Sequence, residues 1–183
     1  MAATVAESGK SAVGPVLRFV LGFGLGYLVL NWFLSGSGPA PFLNDAIDGL
    51  TRIQTAAAER ILRFFGEDVT RTGDVLRGPS FSCAVGDGCS GMSAITLVIA
   101  GLLSFPAPVR RKVLGFVVLV PAVLIVNILR IAGLFWTGVH APAVFNLAHV
   151  YIGQVVVIVV TLALWWLWIS WSSRPRAASS SLS

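Results

Sequence analysis

Four stretches of this chain, residues 16–34, 91–105, 113–138 and 149–171, are nearly unbroken runs of aliphatic, aromatic and small residues. About 20 apolar residues in a helix cover the ~30 Å hydrocarbon core of a bilayer. Within lipid, a helix is the only single segment that satisfies all its backbone polar groups internally. Of the 183 residues, 56% are hydrophobic and 11% are charged. A soluble domain carries roughly one-quarter charged residues and could not hide so much apolar surface. The composition also excludes a disordered chain, and two cysteines exclude a disulfide scaffold. The expected fold is an all-α integral membrane protein: a bundle of about four transmembrane helices in one domain, residues 15–172.

The net charge of +5 would point to nucleic acid in a soluble protein, but the placement of the charges does not. Lys10 and Arg18 flank the first run, Arg110, Arg111 and Lys112 separate the second from the third, and Arg174 and Arg176 follow the fourth. The stretch 36–91 carries five Arg against seven acids, so no basic face for nucleic acid emerges. Basic clusters of this kind fix membrane topology. They predict both termini in the cytoplasm, as tails over 1–14 (disordered) and 173–183, with loops 36–91 and 139–148 outside a cell (inner) membrane. Lipid is then the first partner. The second run reaches only ~22 Å and needs local thinning. The third is long enough to tilt, with Pro121 expected to kink it. Trp165, Trp166, Trp168 and Trp171 are expected to mark the interfacial end of the fourth. A cleaved signal peptide is the alternative for the first run, because Ser35-Gly36-Ser37-Gly38 follows it. The run is longer, however, than the ~7–15 residues of a usual signal core.

Within the outer loop 36–90, apolar residues recur at 43, 46, 47, 50, 53, 57, 61, 64 and 65, which is helical spacing. This predicts an amphipathic helix over 42–65, roofing the bundle or lying on the membrane surface. The glycines of residues 66–90 predict loop or short extended structure.

Chemistry concentrates at one depth. Arg130 stands inside the third run with no other ionisable residue. A mid-membrane Arg costs ~2.5–3.5 kcal/mol on insertion scales, so a partner, a wet cavity or snorkelling to the headgroups must compensate. Eight residues, ~12 Å of helix, separate it from Gly138, which places it in the outer half. Asn127 lies one turn earlier on the same face and could bond into the same cavity. Cys89 sits in Gly86-Asp87-Gly88-Cys89-Ser90-Gly91 at the mouth of the second run, where a helix N-terminus lowers a thiol's pKa. Its plain alternative is a structural thiol, or half of a disulfide with Cys83. His149 opens the fourth run, and His140 in the short loop is a decoy. Each of these would be weak alone, yet Cys89, Arg130 and His149 come from three helices at a similar level. A thiol, an imidazole and a fixed guanidinium form an acyl-transfer set that calls for no cofactor or metal.

With Gly88-Cys89-Ser90-Gly91, Asn127-Ile128-Leu129-Arg130 and His149-Val150-Tyr151-Ile152-Gly153 in that order, the chain resembles the exosortase/archaeosortase family over roughly residues 80–170. Such proteins are integral-membrane cysteine transpeptidases. The resemblance implies Cys89 as nucleophile, with Arg130 and His149 as its partners. It also implies substrates: secreted proteins bearing a C-terminal motif, a transmembrane helix and a basic tail, cut at the outer face. The larger members have about twice as many spans, so the likeness is to short forms such as exosortase H. Two other readings fit parts of the chain. One is a thiol oxidoreductase of a four-helix membrane bundle, although five residues separate Cys83 from Cys89 and no second Cys pair exists. The other is a non-enzymatic membrane scaffold subunit in which Arg130 pairs helices.

Overall fold

The computed structural model describes residues 2–34 and 41–173. In chain order the elements are α1 (Ala2–Leu34), α2 (Pro41–Phe64), β1 (Thr70–Thr72), β2 (Val75–Arg77), β3 (Ser82–Ala84), α3 (Met92–Ser104), α4 (Val109–His140), α5 (Phe145–Leu147) and α6 (Gly153–Ser172). A 3-10 turn at Asp87–Cys89 precedes α3, and a π-helical turn at Ala148–Ile152 joins α5 to α6. The predicted bundle is present. Gly14–Leu34, Val109–His140 and Pro142–Ser172 are long and apolar enough to cross a membrane, and α3 is a shorter apolar helix.

The membrane-spanning core is built by α3, α4 and α6 around Ile95, Val98, Leu102, Leu119, Val123 and Trp168. Without a hydrophobic drive between helices in lipid, close backbone approach decides association, and small residues permit it. A Cβ on Gly101 would stand 2.7 Å from the Trp165 indole nitrogen, and one on Gly115 would stand 2.5 Å from that of Trp168. Helix α1 lies outside this core. Its Phe19 and Phe23 pack on Trp165, while Val16, Leu17, Leu21, Leu25 and Leu28 are exposed as on a lipid-facing helix. The tryptophans at this end differ in burial. Trp166 and Trp171 are exposed, but Trp168 is buried and donates its indole N–H to the Arg111 carbonyl at 3.1 Å, because Gly115 leaves a recess for it.

Helix α4 continues through Pro121. At the basic end of the bundle, Lys112 donates to the Leu103 carbonyl at 2.6 Å and Arg111 donates to the Ser172 carbonyl. Cations thus meet orphan carbonyls at the C-terminal ends of α3 and α6, where the helix dipole favours them. The expected disordered tail over 1–14 is instead helical from Ala2. Once a span is nucleated, each added residue costs little. Residues 174–183, most of the other expected tail, and the small-residue stretch Ser35-Gly36-Ser37-Gly38 lie outside the described residues.

The opposite end carries α2 and a three-stranded antiparallel sheet in the order β1-β2-β3, with Arg71 opposite Leu76 and Leu76 opposite Cys83. This is the extended alternative for 66–90. Gly73, at φ 65°, supplies the positive φ that the two-residue β1–β2 turn requires. The sheet closes a second core of Ala58, Leu62, Val69, Leu76, Val85, Ile131, Ala132 and Phe135.

Helix α2 forms where the spacing predicts it, but its buried face is Ile47, Thr51, Gln54, Thr55, Ala58 and Leu62. The apolar stripe that defined it is divided: Ile47 is buried and Leu50 and Ile61 pack against the two cores, whereas Ile53 is 66% and Phe64 85% exposed. The helix docks through a mixed small and polar face, and its greasiest side has the placement of an interfacial helix.

The sheet is locked to α4 by ring contacts. Phe81 packs edge-on against Phe135 with centroids 5.7 Å apart, over Gly138, where a Cβ would come within 2.3 Å of the Phe81 ring. Gly138→Ala is expected to destabilise the protein by about 1–3 kcal/mol, as overpacking does. A thermal melt in detergent that matches wild type would contradict this packing.

Candidate active site

The chain around Cys89 is placed by backbone contacts rather than by its own side chain. The Cys89 amide N–H donates to the Gly86 carbonyl at 2.8 Å, closing the 3-10 turn. Gly91 then takes φ 74° at the start of α3, and a Cβ there would sit 3.0 Å from the Asn127 side-chain carbon. Glycine is needed both for the left-handed backbone and for the close approach. Asn127, fully buried on α4, donates its Nδ2 to the Cys89 carbonyl at 2.7 Å and to Gln54 Oε1 at 2.8 Å. Gln54, buried on α2, donates its Nε2 to the Ser90 carbonyl at 3.0 Å. Two amides from two helices therefore hold consecutive peptide groups of the thiol-bearing turn.

The Cys89 sulfur lies 3.8 Å from His149 Nδ1, a contact of sulfur hydrogen-bond length. His149 sits in the π turn, a feature frequent at functional sites. Its ring stacks on Phe145 with centroids 5.7 Å apart and planes 8° apart. Phe145 in turn packs on Phe81 at 5.0 Å. The imidazole thus ends a row of rings that begins in the buried core at Phe135. Such pairs favour these separations.

Arg130 lies one turn beyond Asn127 on α4, and its Nε is buried without a hydrogen-bond partner among the described residues. Its side chain lies against Gly153, the first residue of α6, where a Cβ would stand 2.8 Å from Nε. Together with Gly88 and Gly91 it lines a cleft beside the Cys89 turn. Asn127 does not share that cleft. It turns to Gln54 and the Cys89 carbonyl, a positioning contact in place of the shared cavity read from the sequence.

His140 is engaged away from the Cys89 turn. Its Nε2 lies 2.6 Å from Glu67 Oε1, on the sheet side of the α4 terminus. Cys83 and Cys89 are both free thiols. Burial, with a smaller contribution from the nearby Cys89, pushes the Cys83 thiol up to about 11. Gln54 escaped the sequence reading. The signal available was its place between Thr51, Thr55 and Ala58 on a helical face of small and polar residues that looks solvated.

A Cβ at Gly153 would crowd the Arg130 side chain and also stand 3.0 Å from the Ala148 carbonyl of the π turn. In a helix, Ala is otherwise favoured over Gly by roughly 0.5–1 kcal/mol. Gly153→Ala is nevertheless expected to displace the Arg130 guanidinium and lower activity while the protein still accumulates in the membrane. Undiminished activity, measured beside membrane abundance, would show that the Arg130 position does not matter.

The chain matches the family model described as Transmembrane exosortase (Exosortase_EpsH) over residues 10–166. No curated protein and no solved structure matches it. The matched region takes in Cys89, Arg130 and His149 together with most of the helical bundle that positions them, and the chain belongs to the transmembrane exosortase family.

Proposed function

We propose that this chain is a membrane cysteine peptidase or transpeptidase that removes C-terminal sorting signals from secreted proteins at the outer face of the membrane. The observation that carries this reading is the 3.8 Å contact between the Cys89 sulfur and His149 Nδ1, beside a cleft lined by Arg130. With Nδ1 unprotonated, His149 takes the thiol proton as the sulfur attacks the substrate amide carbonyl. A carbon–sulfur bond forms, and the charge gathers on the carbonyl oxygen. Arg130 donates hydrogen bonds to that oxyanion, a contribution that grows as water is excluded. The carbon–nitrogen bond then breaks, and His149 returns the proton to the departing amine. The thioester left on Cys89 is opened by water, giving a free carboxylate, or by an envelope nucleophile, giving a transferred protein. In both cases the thiol is regenerated.

The orientation belongs to the same proposal. Arg110, Arg111 and Lys112 lie at the end of the bundle away from Cys89, so the positive-inside rule puts the thiol outside and both termini in the cytoplasm. The substrates are secreted proteins with a C-terminal motif, a transmembrane helix and a basic tail.

Co-expression with such tailed proteins tests the reading directly. Cys89→Ala should abolish processing while the protein still accumulates in the membrane, and wild type should give a covalent adduct on Cys89. Retained processing by the alanine variant ends the proposal. Arg130→Lys should lower the rate by ~10²–10³, the usual loss for one oxyanion donor, because a point charge does not reproduce the planar fork.

Cys83 separates this chemistry from a dithiol redox cycle. An ordinary thiol ionises near 9.0, whereas Cys83 stays protonated until about 11. In folded Cys89→Ala protein, where burial, the larger cause, remains and the Cys89 contribution is gone, maleimide labelling of Cys83 should still lag that of an ordinary thiol as the pH passes 9.0. Cys83→Ser should retain processing. Fast labelling at neutral pH, or loss of activity in Cys83→Ser protein that still folds, would favour the two-thiol reading.

A further inference from the structure

The cleft beside Cys89 has a floor and two walls. Its floor is Arg130, and its walls are Ser93 near the start of α3 and Gln154 in the first turn of α6. Both wall side chains are exposed, and neither makes a hydrogen bond among the described residues. Exposed in the first turns of α3 and α6, both side chains are open to a ligand at the cleft mouth. Gln154 is the sole amide side chain of α6, which is otherwise aliphatic, aromatic and hydroxyl-bearing. Gly88, Gly91, Ala94 and the buried Val157 complete the lining, so a backbone can come close. The space itself is about 20 Å³, room for roughly one water-sized group rather than a side chain.

The cleft offers a donor-only group beside two that can accept. A guanidinium donates and cannot accept, whereas the Ser93 hydroxyl and the Gln154 amide can each donate or accept. A substrate cut just before its membrane helix presents both needs at once. The scissile carbonyl requires donors, and the first turn of the helix leaves four N–H groups without intrahelical partners. In a water-poor setting those N–H groups need acceptors as much as the carbonyl needs Arg130.

Resting on the proposed peptidase reading, we infer that Ser93 and Gln154 are substrate-positioning residues. They flank a port between α3 and α6 and accept hydrogen bonds from the unpaired N–H groups at the start of the substrate's transmembrane helix. Arg130 holds the adjacent carbonyl oxygen in the same cleft. The port sets where along the tail the cut falls, because the helix start seats on Ser93 and Gln154 before Cys89 can reach the carbonyl.

The test uses the full chain in membranes with the tailed protein that forms the Cys89 adduct. Ser93→Ala and Gln154→Leu should each reduce processing about tenfold, and the pair should reduce it further. Ser93→Thr, which restores the hydroxyl, should recover most of the loss. Labelling of Cys89 by a small maleimide reports whether the site itself remains intact, and it should be unchanged in all four variants. Gln154→Cys should also form a disulfide with a cysteine placed in the first turn of the substrate helix, and not with one placed two turns later. Wild-type processing by the double variant, or equal crosslinking along the helix, overturns the port while leaving the Cys89 reading intact. Processing that survives Cys89→Ala, or no adduct from any tailed protein, overturns both.

Discussion

The Asn127–Gln54 amide pair is the contact on which the site depends. Both side chains are buried, and each makes its bonds to a partner that the other helps to place. A buried amide left without partners costs about 1–3 kcal/mol per group. The turn at Cys89 is therefore held in place by α2 and α4 whenever those helices are docked. This explains why the docked face of α2 carries Thr51, Gln54 and Thr55 beside Ile47, Ala58 and Leu62. The hydroxyls satisfy themselves within the helix, Thr51 on the Ile47 carbonyl at 3.0 Å and Thr55 on the Thr51 carbonyl at 2.8 Å. Gln54 hydrogen-bonds across to other segments, while Ala58 and Leu62 pack into the core beneath the sheet. Ile53 and Phe64, on the exposed side, are then free to rest at the membrane surface.

The other two members of the set are held by different means. His149 is fixed by stacking and by the π turn, which inserts extra backbone between α5 and α6 and aims the ring across at α3. Arg130 is fixed by the absence of a side chain at Gly153. Neither arrangement uses an ion pair, and among the described residues Arg130 has no carboxylate within salt-bridge reach. A carboxylate there would occupy the donor groups that the proposed oxyanion needs. The charge stays available because the cleft offers neutral walls only.

The membrane part of this fold was legible because it rests on composition. A run without charges, such as 149–171, has few places to go except lipid. Helical rise converts sequence distance into height, and that alone grouped Cys89, Arg130 and His149 as candidates. The contacts around them were not legible. Gln54 lies 73 residues from Asn127, and nothing local distinguishes it from a solvated glutamine. The docked face of α2 is offset from the centre of its apolar stripe, because hydrophobic periodicity reports what avoids water, and in a membrane protein both the core and the lipid surface do that. The burial of Trp168 was not legible either, since Gly115, on another helix, makes room for it.

Helix lengths account for where the site sits. Helix α3 has 13 residues and rises ~20 Å, short of a ~30 Å hydrocarbon core. Its basic-end terminus is fixed by Lys112 on the Leu103 carbonyl, so the deficit falls at the Cys89 end. Helix α4 has 32 residues and rises ~48 Å, so its surplus projects past the core on that same side, where Phe135 and Gly138 support the sheet. A short helix beside a long one leaves a recess roofed by α2 and the sheet. Cys89, half-buried, lies at the floor of that recess, on the turn that Gln54 and Asn127 hold. The short α3 therefore sets the level of the Cys89 turn, and the long α4 carries the sheet and α2 that cover it.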